Sequence, residues 1–208
     1  VVLLETGIGK VNAAASVSRA LSRARYRAVV NLGIAGALPG AAPLELLCPV
    51  VATESVYADE GLQTPTGFLT CDQMGFPLGP FAGNAVPGDA GLRALAMGAL
   101  GGWHAVEGGV ATVSCCSGTD TLARRVAERT GAVAECMEGA AVGHTTTRFS
   151  DEFPAFGARF LEVRVISNTT GDRPGQRWDV QGSMRRLAEV ASSLLPALRR
   201  WSESAPGA

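Results

Sequence analysis

Short apolar runs recur along this chain, several unbroken by any polar residue, and stretches with helical spacing separate them. A strand wetted on one face alternates apolar and polar residues, whereas a strand covered on both faces reads as a continuous hydrophobic run. The pattern therefore predicts an α/β domain with a mainly parallel, covered sheet. Strands are expected over residues 1–5, 28–32, 46–53, 106–113, 132–135 and 160–166. Helices are expected over residues 11–25, 89–100, 119–129, 138–149 and 178–201. Asp89 is the expected cap of the second helix, and Thr119 or Ser117 that of the third. Pro196 is expected to disturb the last helix, because it removes a backbone donor. Residues 57–88 are rich in Gly, Pro and Thr and read as loops with room for a hairpin. Neither an internal repeat nor a low-complexity linker interrupts the pattern, so a single domain over residues 1–208 is expected.

Composition narrows the function classes. A content of 47% hydrophobic and 18% charged residues in 208 fits a globular domain with a sizeable core. The balance of 18 basic and 19 acidic side chains gives no electrostatic case for nucleic acid or an anionic membrane. No window nears the ~18 apolar residues of a membrane span, and Val1-Val2-Leu3-Leu4-Glu5 lacks the basic start of a signal peptide. The five cysteines are an odd number with one adjacent pair, and no CxxC occurs. With only His104 and His144 besides, neither a disulfide framework nor a metal site is expected, and reduced thiols in a cytoplasm are the simple reading. No organic cofactor is implied.

Ligands on such sheets sit beyond the carboxyl ends of strands, where the small and polar residues of this sequence collect. Thr6-Gly7-Ile8-Gly9-Lys10-Val11-Asn12 is GxGxxN rather than GxGxxG, so it reads by itself as a tight strand-to-helix turn. Gly33-Ile34-Ala35-Gly36 closes a strand and either forms a turn or lets a ligand approach the backbone. In Cys136-Met137-Glu138-Gly139, the carboxylate stands where a strand gives way to a helix. There it either complements the helix dipole or accepts from a vicinal diol, with Met137 as an adaptable apolar surface. Ser167-Asn168 ends a buried strand, as a site or as an Asx turn. His144 reads as packed or half-exposed, and Cys115 and Cys116 as small packing residues.

Taken together, these stretches resemble the nucleoside phosphorylase superfamily, in the branch of methylthioadenosine/S-adenosylhomocysteine nucleosidases and futalosine hydrolases. The matching segments are residues 6–14, 31–36, 50–61, 109–120, 135–141 and 162–168, in the family's order and across nearly the whole chain. The resemblance implies a central mixed sheet, partly closed into a barrel and flanked by helices. It also implies cleavage of the bond between a purine and its ribose through an oxocarbenium-like transition state, and a homodimer or larger homo-oligomer.

Carried over by position, the resemblance gives Glu138 the ribose hydroxyls and the positive charge on the sugar, and Met137, beside Cys136, the ribose face. Ile34, Ala35 and Gly36 line the sugar side, and Cys115, Cys116, Ser117, Gly118 and Thr119 form the loop along the purine. Asn168, with Ser167 beside it, faces the purine. Residues 57–61 and 153–156 are rim segments. Two departures sharpen this reading. Asn31 and Ile34 stand where phosphorylases place an Arg and a Ser for phosphate, so water is the expected nucleophile. The adenine-specific nucleosidases end their strand Ser-Asp, whereas Asn168 here offers an amide N–H to a 6-oxopurine. The expected reaction is hydrolysis of futalosine to hypoxanthine and dehypoxanthine futalosine, in menaquinone biosynthesis. Arg173 and Trp178 match the same branch. The rivals are a nucleosidase for methylthioadenosine, adenosylhomocysteine or aminofutalosine, and a non-catalytic nucleoside-binding module. The water-activating Glu of the family falls upstream of the segment matching Val1, so the chain is expected to lack a first strand-and-helix segment. Glu135 and Glu60 are substitutes in principle, each read as structural.

Overall fold

The computed structural model describes residues 1–40, 44–154 and 157–204. Five main helices are α1 (Lys10–Leu21), α2 (Ala90–Ala99), α3 (Asp120–Thr130), α4 (Gly139–Glu152) and α5 (Val180–Ser204). Eight strands are β1 (Ala28–Ala37), β2 (Pro49–Tyr57), β3 (Gly61–Thr64), β4 (Gly67–Thr70), β5 (Ala85–Pro87), β6 (Val106–Thr112), β7 (Ala134–Cys136) and β8 (Arg159–Thr169).

Six strands form one sheet in the order β5-β2-β6-β7-β1-β8, and a further pairing of β2 with β8 closes five of them into a ring. The apolar runs alone pointed to a mainly parallel sheet; the sheet is mixed and closed on itself, as the family resemblance implied. β1–β8, β2–β6 and β6–β7 run parallel, while β1–β7, β2–β5 and β2–β8 are antiparallel. Closing the ring pairs the outer strands of the five, β2 and β8, with each other and leaves β5 as the edge strand, on β2. It also brings side chains of β1, β2, β7 and β8 onto one another. β3 and β4 pair as the anticipated hairpin.

The alternation of side chains along β8 divides the core. Leu161, Val163 and Val165 pack with Leu92, Ala96, Leu100, Val190 and Leu194 beneath α2 and α5. The intervening Glu162 and Arg164 turn to the other face, and both are buried. On that side Ile166 joins Ala35, Ala37, Val50, Val110, Ala134 and Cys136.

Capping follows the sequence. Asp89 accepts from the Leu92 N–H at 2.9 Å, and Thr119 Oγ1 from the Leu122 N–H at 3.2 Å. Each satisfies one of the orphan donors of a first turn.

Four expectations are corrected. Residues 1–5 are not a strand: they have no ladder partner among the described residues, and Val1 and Leu3 are 97% and 95% exposed. A strand exists only through pairing, which an apolar pattern by itself does not supply. Gly33-Ile34-Ala35-Gly36 is not a turn but the last part of β1, held in register by β8 on one side and β7 at Gly36 on the other. Ser167 and Asn168 do not end β8, which continues to Thr169 because β1 and an isolated bridge to Trp178 supply partners that override the low strand propensity of Asn. α5 runs unbroken through Pro196, which lies on its exposed face, where water can satisfy the carbonyl that proline leaves free.

Candidate active site

α4 begins directly after β7, and Glu138 occupies its N-cap. The carboxylate there lies close to the positive end of the helix dipole. Its Oε1 accepts from the backbone N–H of Gly9 at 2.9 Å, and its Oε2 lies 3.3 Å from Arg164 Nη1. The Gly7–Gly9 turn thus does more than join two elements. Both glycines have positive φ, +79° and +92°, a conformation that side chains with a Cβ rarely adopt. That geometry aims the Gly9 amide at the start of a second helix. Nothing in the GxGxxN spacing revealed this partner.

Arg164 and Glu162 form the centre of the arrangement, and sequence reasoning did not select them. Arg164 Nε donates to Glu162 Oε1 at 2.7 Å, and the Arg164 side chain lies across β1 at Gly33. A Cβ at Gly33 would overlap the guanidinium, so glycine is required for close approach rather than for a turn. Burial opposes the charge on Arg164, but the neighbouring acids, Glu162 and Glu138 among them, outweigh it and hold the guanidinium above its ordinary value. Its Nη2 is buried without a hydrogen-bond partner among the described residues. Glu162 also accepts from Ser55 Oγ, from Asn31 Nδ2 at 3.1 Å and from Cys136 Sγ at 3.5 Å. The readable signal was the pair of opposite charges two residues apart within the otherwise apolar run 160–166, which places them on one face.

Asn168 lies beside Gly36 in the β1–β8 register. Its Nδ2 donates to the Thr169 carbonyl at 2.9 Å and its Oδ1 accepts from Ser167 Oγ at 2.8 Å. Turning the amide over would set Oδ1 against the Thr169 carbonyl, acceptor to acceptor, so the Thr169 carbonyl fixes its orientation. A Cβ at Gly36 would press on Nδ2 at 3.0 Å. Ala35 contributes its carbonyl to Ser167 Oγ at 3.2 Å, and Ile34 its carbonyl to Arg164 Nη1 at 3.4 Å.

The loop from Ser114 to Thr119 is tied at both ends. Asp59 Oδ2 accepts from the Ser114 N–H, and the same carboxylate pairs with Lys10. Ser117 donates its N–H and its hydroxyl to the two oxygens of Glu135, at 2.7 and 2.6 Å. Gly118 accepts from the Arg173 N–H at 3.2 Å. Arg173 in turn stacks on Trp178, 4.5 Å from the ring centroid, and both donate to Gln176. The two segments that matched by position therefore share one cluster next to Asn168. Cys115 and Cys116 are exposed rather than packed, because the loop turns outward on either side of the buried Ser117. Exposed at its surface but partly enclosed by the loop, the Cys116 thiol is raised above its ordinary value by that desolvation and by the charges of Glu135 and Glu138. Met137 is half-buried beside Glu138.

Both substitute carboxylates are engaged. Glu135 is buried with both oxygens on Ser117, and burial raises its pKa against the opposing effect of those hydrogen bonds. Glu60 pairs with Lys10 at 3.0 Å. His144 is half-buried, 3.2 Å from the Tyr57 hydroxyl and edge-on to Phe81. With Tyr57, Ala141 and Arg148 it lines a groove of about 520 Å³ between α1 and α4; of the expected site and rim residues only the rim residue Tyr57 is among its lining. Of the expected rim, Tyr57 is buried, Asp59 and Glu60 hold Lys10, and Phe153 packs on Phe149. Ala155 and Phe156 lie outside the described residues. Among the described residues, no group of three or more His, Cys, Asp or Glu is placed to hold a metal ion, and no helix is long and apolar enough to cross a membrane.

A model of the phosphorylase superfamily matches residues 1–199. Futalosine hydrolase of Acidothermus cellulolyticus is 34% identical over 92% of this chain and 74% of its own length. Futalosine hydrolase of Streptomyces coelicolor is 35% identical over 96% of this chain and 80% of its own.

The chain belongs to the phosphorylase superfamily, within the futalosine hydrolase family.

The fold agrees. The 5′-methylthioadenosine/S-adenosylhomocysteine nucleosidase from S. pneumoniae, solved with a transition-state inhibitor, superposes with a TM-score of 0.71 at 21% identity, covering 93% of this chain and 80% of that one. As a member of this family the chain is an enzyme of the N-glycosyl hydrolase type.

Proposed function

We propose that this chain hydrolyses the N-glycosidic bond of futalosine, releasing hypoxanthine and dehypoxanthine futalosine for menaquinone biosynthesis. The observation that carries the choice of base is the fixed amide of Asn168. Its second N–H suits the lone pairs of a 6-oxopurine, at O6 or N7, and its orientation is set by the Thr169 carbonyl, which can only accept. The names of the relatives at 34–35% identity support the same substrate.

In this reading Glu138 binds the ribose diol and meets the positive charge that develops on the sugar. A preorganised carboxylate acts strongly there because no reorganisation is needed at the moment of reaction. Met137 packs on the sugar, Ile34, Ala35 and Gly36 line its other side, and residues 115–119 run along the purine. Water is the nucleophile. A phosphate would need uncompensated positive charge, but Arg164 is already shared between Glu138 and Glu162, Asn31 donates to Glu162, and Ile34 offers no side-chain polarity. The unpartnered Arg164 Nη2 is a donor for a sugar hydroxyl or a water. Self-association belongs to the proposal on the family resemblance, with Ile8 and Val11 exposed beside the Gly9–Glu138 contact as local support. A cytoplasmic setting suits the five free thiols.

The test is product analysis in phosphate-free and phosphate-containing buffer. Hypoxanthine release at the same rate in both is expected. A sugar 1-phosphate as main product would overturn the hydrolase reading.

A further inference from the structure

Glu162 is a fully buried carboxylate, 0% exposed, with no part in the chemistry proposed so far. An ion in that place carries a large desolvation cost, which only close partners offset. It has four: Ser55, Asn31, Cys136 and Arg164. Its oxygens also lie against the first residue of α4, where a Cβ on Gly139 would overlap them. The helix that carries Glu138 on its cap therefore sits directly on Glu162.

The charges in this chain of contacts run carboxylate, guanidinium, carboxylate: Glu162, Arg164, Glu138. One positive charge lies between two negative ones, and the net charge is negative. Without the charge of Glu162, Arg164 and Glu138 become a neutral pair, and the field of Glu138 at the sugar is cancelled by its own neighbour. A second negative charge behind the guanidinium removes that cancellation.

We infer that Glu162 is a positioning and charge-balancing residue: by holding and neutralising Arg164, it keeps the negative charge of Glu138 available to a cationic sugar. It touches no substrate and acts through Arg164. The inference rests on the proposed role of Glu138 as the sugar-facing carboxylate. It predicts that Glu162 governs affinity for a positively charged sugar ring and is nearly silent toward a neutral one, a distinction a purely structural residue does not make.

The experiment compares two uncleaved nucleoside analogues with the same purine by titration calorimetry on the full chain. One is a neutral C-nucleoside; the other is an iminoribitol, cationic at the ring nitrogen. The parent protein is expected to prefer the cation. Glu162→Gln keeps the shape and lowers that preference by on the order of tenfold, through the cation alone. The double variant Glu162→Gln/Arg164→Gln removes both buried charges, leaves Glu138 uncompensated and restores the preference. Glu138→Gln abolishes it.

An unchanged preference in Glu162→Gln overturns the inference. So does a double variant with less preference than the single one, since Glu162 would then act by shape. If Glu162→Gln fails to give a cooperative melting transition, the double variant decides, because replacing both members of a buried pair is tolerated better than replacing one. Loss of preference there overturns the inference, and a parent-like preference supports it. If Glu138→Gln retains the preference, the reading of the site itself fails; if it loses it while Glu162→Gln does not, only the present inference fails.

Discussion

Replacing Glu138 by Gln changes one oxygen to an NH₂, and the structure fixes what that does. The parent carboxylate accepts from Gly9 at 2.9 Å and from Arg164 at 3.3 Å, so both oxygens face donors. A glutamine must set its NH₂ against one of them, donor to donor, whichever way it turns. Facing Arg164 is the milder choice, because Arg164 keeps Glu162 at 2.7 Å. The cost to folding is that of one buried donor left unsatisfied, about 1–3 kcal/mol. The cost to catalysis is separate and larger. Loss of one preorganised group facing transition-state charge is worth about 2–4 kcal/mol, which corresponds to roughly 30- to 1,000-fold in kcat. KM should change little, since the ground-state ribose is neutral and its diol can still bond to an amide. Steady-state kinetics of hypoxanthine release, with a melting curve to confirm the fold, separates the two effects. A folded Glu138→Gln variant with kcat near that of the parent would remove Glu138 from the mechanism.

Asn168→Asp places a carboxyl oxygen against the Thr169 carbonyl; it should lower kcat/KM for futalosine and raise the relative rate on aminofutalosine, and an unmoved ratio would mean that Asn168 does not read the base. Gly139→Ala drives a Cβ into the Glu162 carboxylate and should destabilise the fold by about 1–3 kcal/mol, measured by urea unfolding; parent-like stability would show that α4 can shift off Glu162. Burial raises the pKa of Glu135, so its ionisation favours the unfolded chain, and the parent should lose stability relative to Glu135→Gln as pH rises from the ordinary carboxylate range toward neutrality. Urea midpoints of both proteins at about pH 5 and pH 8 check the sign; a parent that gains on the variant over that interval refutes it.

How much was legible depended on whether a residue's partner was local. Asp89 and Thr119 bond three residues ahead, and both caps were readable. Glu138 was marked by its place between a strand and a helix. Its contacts were not, because Gly9 and Arg164 come from distant segments that only the closed ring brings together. The Gly33–Gly36 stretch shows why propensity misled. Its glycines read as a turn or as room for a ligand, yet Gly33 makes room for Arg164 and Gly36 for Asn168 inside a continuous strand. Glu162 and Arg164 were in plain view as alternating charges, but within an apolar run they read as part of a strand and no more. The first residues failed for the opposite reason: their apolar pattern fits a strand, and pattern alone supplies no partner.

The central claim is that this site cleaves a 6-oxopurine nucleoside with water, and the ratio of kcat/KM for futalosine to that for aminofutalosine tests it most directly. A buried site built to hydrogen-bond one substituent rejects its counterpart strongly, by up to about 10⁴-fold. A clear preference for futalosine is predicted, whereas equal rates or a preference for the amino compound would contradict the assignment of Asn168 and of the substrate with it.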